Sequence, residues 1–102
     1  MRKLRYAKAA RRDLQEIAKY ITREGEGIAV AAQFVEQLRD RCERIASLPG
    51  TIGTARPDLG ETLRSSPHKA YVIFFRYIGD YVEIINILSA SRDVIAYFGV
   101  EE

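Results

Sequence analysis

Cysteine is almost absent from this sequence: Cys42 is the only one among 102 residues, so no intrachain disulfide can form. Nothing in the cysteine content therefore requires an oxidising compartment. Apolar runs long enough to span a membrane are absent as well. The segment 1–14 is basic, but it has neither the apolar stretch nor the small-residue cleavage site of a secretory signal. These absences predict a soluble cytoplasmic protein that makes no contact with membranes.

Two kinds of small-molecule site are also missing from the sequence. The glycines of segment 50–53 lack the lysine and the strand-to-helix context of a phosphate-binding loop. No group of histidine, cysteine and aspartate residues has the spacing of metal ligands. We therefore expect neither a metal site nor a cofactor.

What is present is an ordinary globular composition. Hydrophobic residues make up 47% and charged residues 29% of the chain, a balance that suits a single folded domain over residues 1–102. The net charge is only +2, but six basic residues precede the first acid, Asp13. They are Arg2, Lys3, Arg5, Lys8, Arg11 and Arg12. Such a cluster fits a nucleic acid, an acidic partner or a solvated face, and charge alone does not decide between them.

Helical periodicity characterises the first half of the chain, after a short strand predicted at residues 2–6. Apolar residues at helical spacing are Ala10, Leu14, Ile17, Ala18 and Ile21, then Ala31, Phe34, Val35, Leu38, Cys42 and Ile45. The first helix should end near Gly25, and Pro49 stops the second. The short connection between them predicts an antiparallel helical hairpin, in which Cys42 is a buried structural thiol.

The second half has the patterns of loops and strands. Segment 51–60 is rich in Gly, Pro, Thr and Asp and is predicted to be a loop. A short strand at 62–66, broken at Pro67, precedes longer strands at 69–78 and 81–89. Gly79 and Asp80 match a two-residue hairpin turn. Segment 92–98 is either a short helical turn or an extension of the sheet.

These elements together predict an α+β fold. An N-terminal strand and an antiparallel helical hairpin would pack on a three- to four-stranded, mainly antiparallel sheet. The helices cover one face of that sheet.

Short motifs along nearly the whole chain resemble the ParE branch of the RelE/ParE toxin superfamily. In the helices they are residues 10–14 (ARRDL), Ile17, Tyr20-Ile21, Phe34 and Leu38. In the second half they are Leu48-Pro49, Gly53, Arg56, 63–65 (LRS), 67–69 (PHK), 71–76 (YVIFFR), 82–84 (VEI), Ile87-Leu88 and 91–93 (SRD). Their order and spacing carry the resemblance, since no single motif is decisive.

The resemblance implies the toxin of a type II toxin–antitoxin system, associated with growth inhibition and plasmid stabilisation. It implies a ParD-like antitoxin whose C-terminal segment wraps the toxin in a hetero-oligomer, with operator DNA bound only through the antitoxin. It also implies inhibition of DNA gyrase by protein contact. Two alternatives on the same fold are a ribosome-dependent mRNA endonuclease of the RelE type and a non-toxic partner of an antitoxin.

An mRNA endonuclease needs a base, an acid and a cation in one concave site. The candidates here are Arg64, His68, Arg76, Arg92 and Tyr97. Arginine stabilises phosphate charge but stays protonated, so His68 is the one side chain that titrates near neutrality. Members of the superfamily often have a histidine where this chain has Ser89. The incomplete set of acids and bases favours a toxin that is not an enzyme.

Two sets of residues are predicted to bind proteins. The antitoxin set consists of Arg11, Arg12, Tyr20, Val30 and Phe34. Its basic members suit an acidic antitoxin tail, and its apolar members are expected in a groove between the helices, although Phe34 also fits the core. The target set consists of Arg92, Asp93, Tyr97 and Phe98. Arginine and aromatic residues dominate protein–protein hot spots. Alternatively, Val94, Ile95 and Phe98 cover the edge of the sheet.

Overall fold

A short strand followed by two helices forms the first half of the molecule in the computed structural model, which describes residues 2–99. The helical and π-helical elements are α1 (Lys8–Ile21), a π-helical turn (Thr22–Glu26), α2 (Ile28–Ser47) and α3 (Val94–Phe98). The strands are β1 (Lys3–Tyr6), β2 (Thr54–Ala55), β3 (Arg64–His68), β4 (Tyr71–Ile78) and β5 (Tyr81–Ser89). Within residues 2–99, no helix is both long and apolar enough to cross a bilayer.

The helical hairpin forms as its apolar periodicity predicts. Ala10, Leu14 and Ile17 are the buried residues of α1, and Leu38 and Cys42 are fully buried in α2. The chain reverses at the end of the π-helical turn, where Gly25 (φ 85°) and the following Gly27 (φ 89°) have positive φ values that favour glycine. The prediction of Cys42 as a buried thiol is confirmed, and burial raises the pKa of Cys42 to about 11.

The sheet has the strand order β1-β5-β4-β3-β2. β1 lies parallel to β5, and the other neighbours are antiparallel, so the predicted α+β fold with a mainly antiparallel sheet is confirmed. The described residues form five strands rather than three or four, because β2 pairs with β3 inside the segment predicted to be a loop. A strand of two residues is too short to show an alternating sequence pattern.

Pro67 does not break its strand, contrary to the sequence-based expectation, and β3 continues to His68. In the hairpin with β4, His68 pairs with Tyr71 next to the turn and Pro67 pairs with Val72. Hydrogen-bonded and non-hydrogen-bonded pairs alternate along an antiparallel ladder, so the nitrogen of Pro67 faces away from β4. On that other side, β2 pairs only with residues 64–65. No neighbouring strand therefore needs a hydrogen bond from the nitrogen of Pro67.

The longest hairpin, β4–β5, turns at Gly79 and Asp80 as predicted. Ile78 pairs with Tyr81, and only the first turn residue has a positive φ (Gly79, 53°), which is the pattern of a type II′ turn. A bulge interrupts the ladder: Phe75 lies opposite Ile84, whereas Phe74 lies opposite Asn86. Residue 85 is therefore the extra residue of β5.

Both faces of the sheet carry apolar clusters. The helix-side core joins the helices to the sheet and contains Ala10, Leu14, Ile17, Leu38, Cys42, Ile45, Ala46, Ile73, Phe75, Val82, Ile84 and Ile87. The outer-side core contains Leu59, Leu63, Phe74 and Leu88, with Val72, Ile85, Val94 and Phe98 packed against it. Segment 92–98 is thus a short helix that covers part of the outer face rather than an added strand.

Candidate functional site

A groove runs between α1 and α2. It consists of two adjoining hollows of about 430 and 450 Å³ that share Ala18 and Ala32. The apolar residues that line this inter-helix groove are Leu14, Ala18, Ile28, Ala31, Ala32 and Val35. Its basic residues are Arg11, Lys19, Arg23 and Arg39. The groove exists because alanines meet where the helices face each other, and a methyl group fills little space.

The composition of the groove suits an amphipathic segment with acidic flanks. Ile28 is 78% exposed and adds apolar surface to one end of the groove. Four basic side chains border this apolar surface, and one of them, Lys19, lies 3.6 Å from Glu16 Oε1. An extended or helical peptide could bury its apolar face there and direct carboxylates toward the basic residues.

The structure does not bring the predicted antitoxin set into one groove. Arg11 lines the inter-helix groove, and Arg12 is exposed but lines neither hollow. Tyr20 is 52% exposed and lies on another side of α1, where it lines a separate hollow near β5. Val30 is 44% exposed and lines neither part of the groove. These side chains lie on different sides of the helices because successive helical residues point about 100° apart.

Phe34, the remaining member of that set, is half-buried between α2 and the β3–β4 turn. Its ring centroid is 5.6 Å from that of Tyr71 and 6.0 Å from that of His68, and the Lys69 ammonium lies 5.7 Å from it. Phe34 therefore borders the helix-side core rather than lining the groove. Sequence reasoning missed Ala18 and Ala32, because alanine gives no signal of a binding surface.

The candidate nuclease residues are distributed over both faces of the sheet. Arg64 lies opposite Phe75 on the helix side, where its Nε donates to the Ile52 carbonyl (2.8 Å) and its Nη2 to the Gly53 carbonyl (3.0 Å). These bonds hold the 52–53 loop against the sheet, a structural role. His68 also lies on the helix side, opposite Tyr71.

His68 lies in an unfavourable environment for a proton. Burial, followed by the nearby Lys69 and Arg41 charges, lowers the pKa of His68. Its Nε2 is buried, and no hydrogen-bond partner for it is found in the part of the chain that the structure describes. The imidazole is therefore neutral near pH 7 and packs against Phe34.

Arg76 belongs to the opposite face, because it is two residues from Phe74 of the outer-side core along β4. Its Nε and Nη2 donate to Glu83 Oε1 at 3.0 and 2.9 Å, and Arg5 Nε donates to Glu83 Oε2 at 3.2 Å. This charged triad ties β1, β5 and β4 together across the outer face. The Arg76 guanidinium is thus paired and is separated from Arg64 and His68 by the sheet.

Arg92 and Tyr97, the last two candidates, do lie together. The Arg92 guanidinium is 4.7 Å from the centre of the Tyr97 ring, and both residues line one hollow of about 360 Å³. The Tyr97 hydroxyl accepts a 2.8 Å hydrogen bond from Asn86 Nδ2. The five residues therefore form no common concave site, and the geometry of a single acid/base centre is not met.

The predicted target set surrounds α3. Asp93 caps this helix by accepting a hydrogen bond from the Ala96 N–H (3.1 Å), and Gly99 closes it with φ 69°. Arg92, Asp93 and Tyr97 are exposed, the last at 39%. Phe98 differs from the expectation: it is half-buried, and its ring packs edge-on against Phe74 at 5.3 Å. Phe98 anchors the segment and Arg92 and Asp93 face outward, whereas Tyr97 exposes part of its ring and directs its hydroxyl inward to Asn86.

A metal site is not found among residues 2–99, where no three histidine, cysteine, aspartate or glutamate side chains are grouped as metal ligands.

The family is decided by sequence comparison. The family model for the ParE toxin of the type II toxin–antitoxin system parDE matches residues 4–94. The chain belongs to the ParE toxin family. The resemblance inferred from the sequence motifs is thereby confirmed, and the chain is a ParE-type toxin of a ParDE type II system. The matched range contains both long helices, β2 to β5 and all of β1 except Lys3, and it ends at Val94, before Tyr97 and Phe98.

A solved structure has the same fold. A chain of the chromosomal ParDE TA system from P. aeruginosa superimposes with a TM-score of 0.76 at 16% identity. The match covers 87% of this ParE-family chain and 96% of that chain. At this identity the likeness establishes the arrangement of the hairpin on the sheet. No curated protein sequence matches the chain significantly.

Proposed function

We propose that this ParE-family toxin acts in the cytoplasm by binding DNA gyrase, without catalysing a reaction, and is neutralised by a ParD-like antitoxin seated in the inter-helix groove. Family membership supports the toxin role. The observation that carries the antitoxin assignment is the groove itself, with apolar alanine-rich walls and four basic residues. Operator DNA is then reached through the antitoxin.

The occupant of the groove is an amphipathic segment of the antitoxin that is acidic beside its apolar face. Its apolar side chains would cover Ile28 and Val35, which water otherwise contacts. Its carboxylates would approach Arg11 and Arg39, which lie on facing helices. Complementary charge of this kind raises the association rate and selects the partner more than it strengthens the complex.

Substitution of Ala32 tests the groove, because Ala32 lines both of its hollows. Ala32→Glu places a carboxylate on an apolar wall and repels an acidic partner. We expect the antitoxin affinity, measured by calorimetry, to fall by about 30- to 150-fold, from a cost of roughly 2–3 kcal/mol. The matched control is Ala29→Glu, on the same helix and exposed but outside the groove. Equal affinities of the two variants would contradict the assignment.

The gyrase-binding surface is formed by the exposed residues of the C-terminal segment, Arg92, Asp93 and Tyr97. The guanidinium stacked on the Tyr97 ring forms a compact cation–aromatic pair, and such residues dominate binding energy at protein interfaces. Contact of this kind needs no proton transfer, which agrees with the separation of Arg64, His68 and Arg76.

A supercoiling assay tests the target. Purified toxin should inhibit gyrase-driven supercoiling of relaxed plasmid, and stoichiometric antitoxin should restore it. The same preparation should leave mRNA on translating ribosomes intact. Unimpaired gyrase together with rapid mRNA cleavage would replace this proposal with the RelE-type endonuclease.

A further inference from the structure

A buried amide on β5 joins three elements of the fold. Asn86 is only 3% exposed, and its Nδ2 donates to Asp13 Oδ2 of α1 and to the Tyr97 hydroxyl of α3, both at 2.8 Å. Both hydrogens of the amide nitrogen are thus used, one toward each helix. A buried polar group with its partners in place is costly to disturb.

The Asp13 carboxylate also completes the edge of β5. Pairing with β1 ends at Ile84, so beyond it no strand from residues 2–99 lies on that side of β5. Asp13 Oδ2 accepts the Ile87 N–H at 2.9 Å, in place of a neighbouring strand. The same oxygen holds Asn86. The position of the Asn86 amide is therefore defined by α1.

The C-terminal helix depends on such external contacts. It has five residues, and a helix of that length is not stable by itself. Val94 and Phe98 give it apolar contact with the outer-side core. The Tyr97 hydroxyl bond to Asn86 is a directional contact that also orients the ring carrying the Arg92 guanidinium.

We propose that Asn86 is the positioning residue of the target-binding surface: its amide, held by Asp13, fixes the orientation of Tyr97 and so of Arg92. Asn86 is buried and cannot itself contact a target, so it acts through α3. The part that concerns gyrase rests on the proposed function, whereas the docking of α3 does not.

The docking is tested by amide hydrogen exchange in the full chain without partners. Asn86→Leu removes both hydrogen bonds, and Tyr97→Phe removes only the hydroxyl. We expect exchange of the Tyr97 and Gly99 amides, which bond to Asp93 and Ala96 within α3, to accelerate about tenfold, while amides of β4 keep their wild-type rates. Tyr81→Phe, which removes a hydroxyl at the far end of β5, should change the exchange rate of neither the α3 amides nor the β4 amides. Unchanged exchange in Tyr97→Phe overturns the proposal even where Asn86→Leu fails to fold.

The positioning role is tested by comparing two affinities of Asn86→Leu. Inhibition of gyrase should weaken about tenfold, while antitoxin affinity stays within about twofold of wild type. Faster exchange in α3 with undiminished gyrase inhibition would overturn the positioning role and leave the proposed function standing. A wild-type toxin that does not inhibit gyrase would overturn the proposed function, and the exchange experiment would still decide the docking of α3.

Discussion

Replacing Gly53 with alanine should damage the fold far more than a loop substitution ordinarily does. Gly53 has φ +78°, and a Cβ at this position would lie 2.7 Å from the Ser65 carbonyl oxygen and 2.9 Å from Cζ of Phe75. The first contact is with the backbone of β3 and the second with a fully buried ring of the helix-side core. Neither group is a flexible side-chain end that can move aside.

The cost has two parts. Holding an L-residue in the left-handed region costs roughly 1–2 kcal/mol. Relieving an overpacked contact against backbone and core costs typically 1–3 kcal/mol. We therefore expect Gly53→Ala to lose about 2–5 kcal/mol of unfolding free energy. With a denaturant slope of roughly 2 kcal/mol/M, the urea midpoint should fall by about 1–2.5 M.

Gly50→Ala is the matched control. Gly50 has a similar φ of +70°, but a Cβ there would meet no atom within 4 Å. Only the conformational part of the cost applies, about 1–2 kcal/mol. The assay is urea unfolding followed by circular dichroism at equal protein concentration. Equal losses in the two variants would refute the close packing of the 52–53 loop on the sheet, and with it the structural role of Arg64.

Three further predictions concern His68, the helical register and α3. Burial lowers the pKa of His68 in the fold, so the folded chain binds fewer protons than the unfolded chain and stability is lost as pH falls through about 6.5. The urea midpoint of the wild type should therefore fall more between about pH 7.5 and about pH 5.5 than the midpoint of His68→Gln. Equal falls in the two proteins would contradict this prediction. Leu38→Ala should lower the free energy of unfolding in urea by ~2–5 kcal/mol, and Phe34→Ala should lower it less because Phe34 is only half-buried. The reverse order would refute the register of α2. A chain ending at Arg92 should fold and bind antitoxin without inhibiting gyrase; unfolding would make α3 structural, and retained inhibition would remove it from the target surface.

Local patterns predicted much of the fold. The apolar period of α1 and α2 and the Gly79-Asp80 turn each depend on residues close in sequence, and all were borne out. Pro67 misled the prediction because its acceptability depends on which neighbour its nitrogen faces, and β2 was missed because it exists only through pairing with β3. Both depend on the sheet rather than on local propensity.

The candidate site was less predictable than the helices and the hairpin turn, because it also depends on residues that only the fold brings together. Arg92, Asp93 and Tyr97 were proposed as target-binding residues from their residue types, and the structure places them around one short helix. A groove between the helices was predicted, but the alanines that line it were not, because such small side chains give no sequence signal of a binding surface. The hydrogen bond from Asn86 to Asp13 joins residues 73 apart in sequence, and no local sequence pattern predicts it.

The parallel pairing of β1 with β5 has a consequence for synthesis. Arg5 and Glu83 are 78 residues apart, yet they are bonded neighbours in the sheet. At roughly 5–20 residues per second, the ribosome needs about 4–16 s to deliver β5 after β1 has been made. A translation product that stops before residue 81 can form the helical hairpin but has no partner for its first strand. Growth arrest is therefore expected only from chains translated past the last strand, and aborted fragments should be harmless.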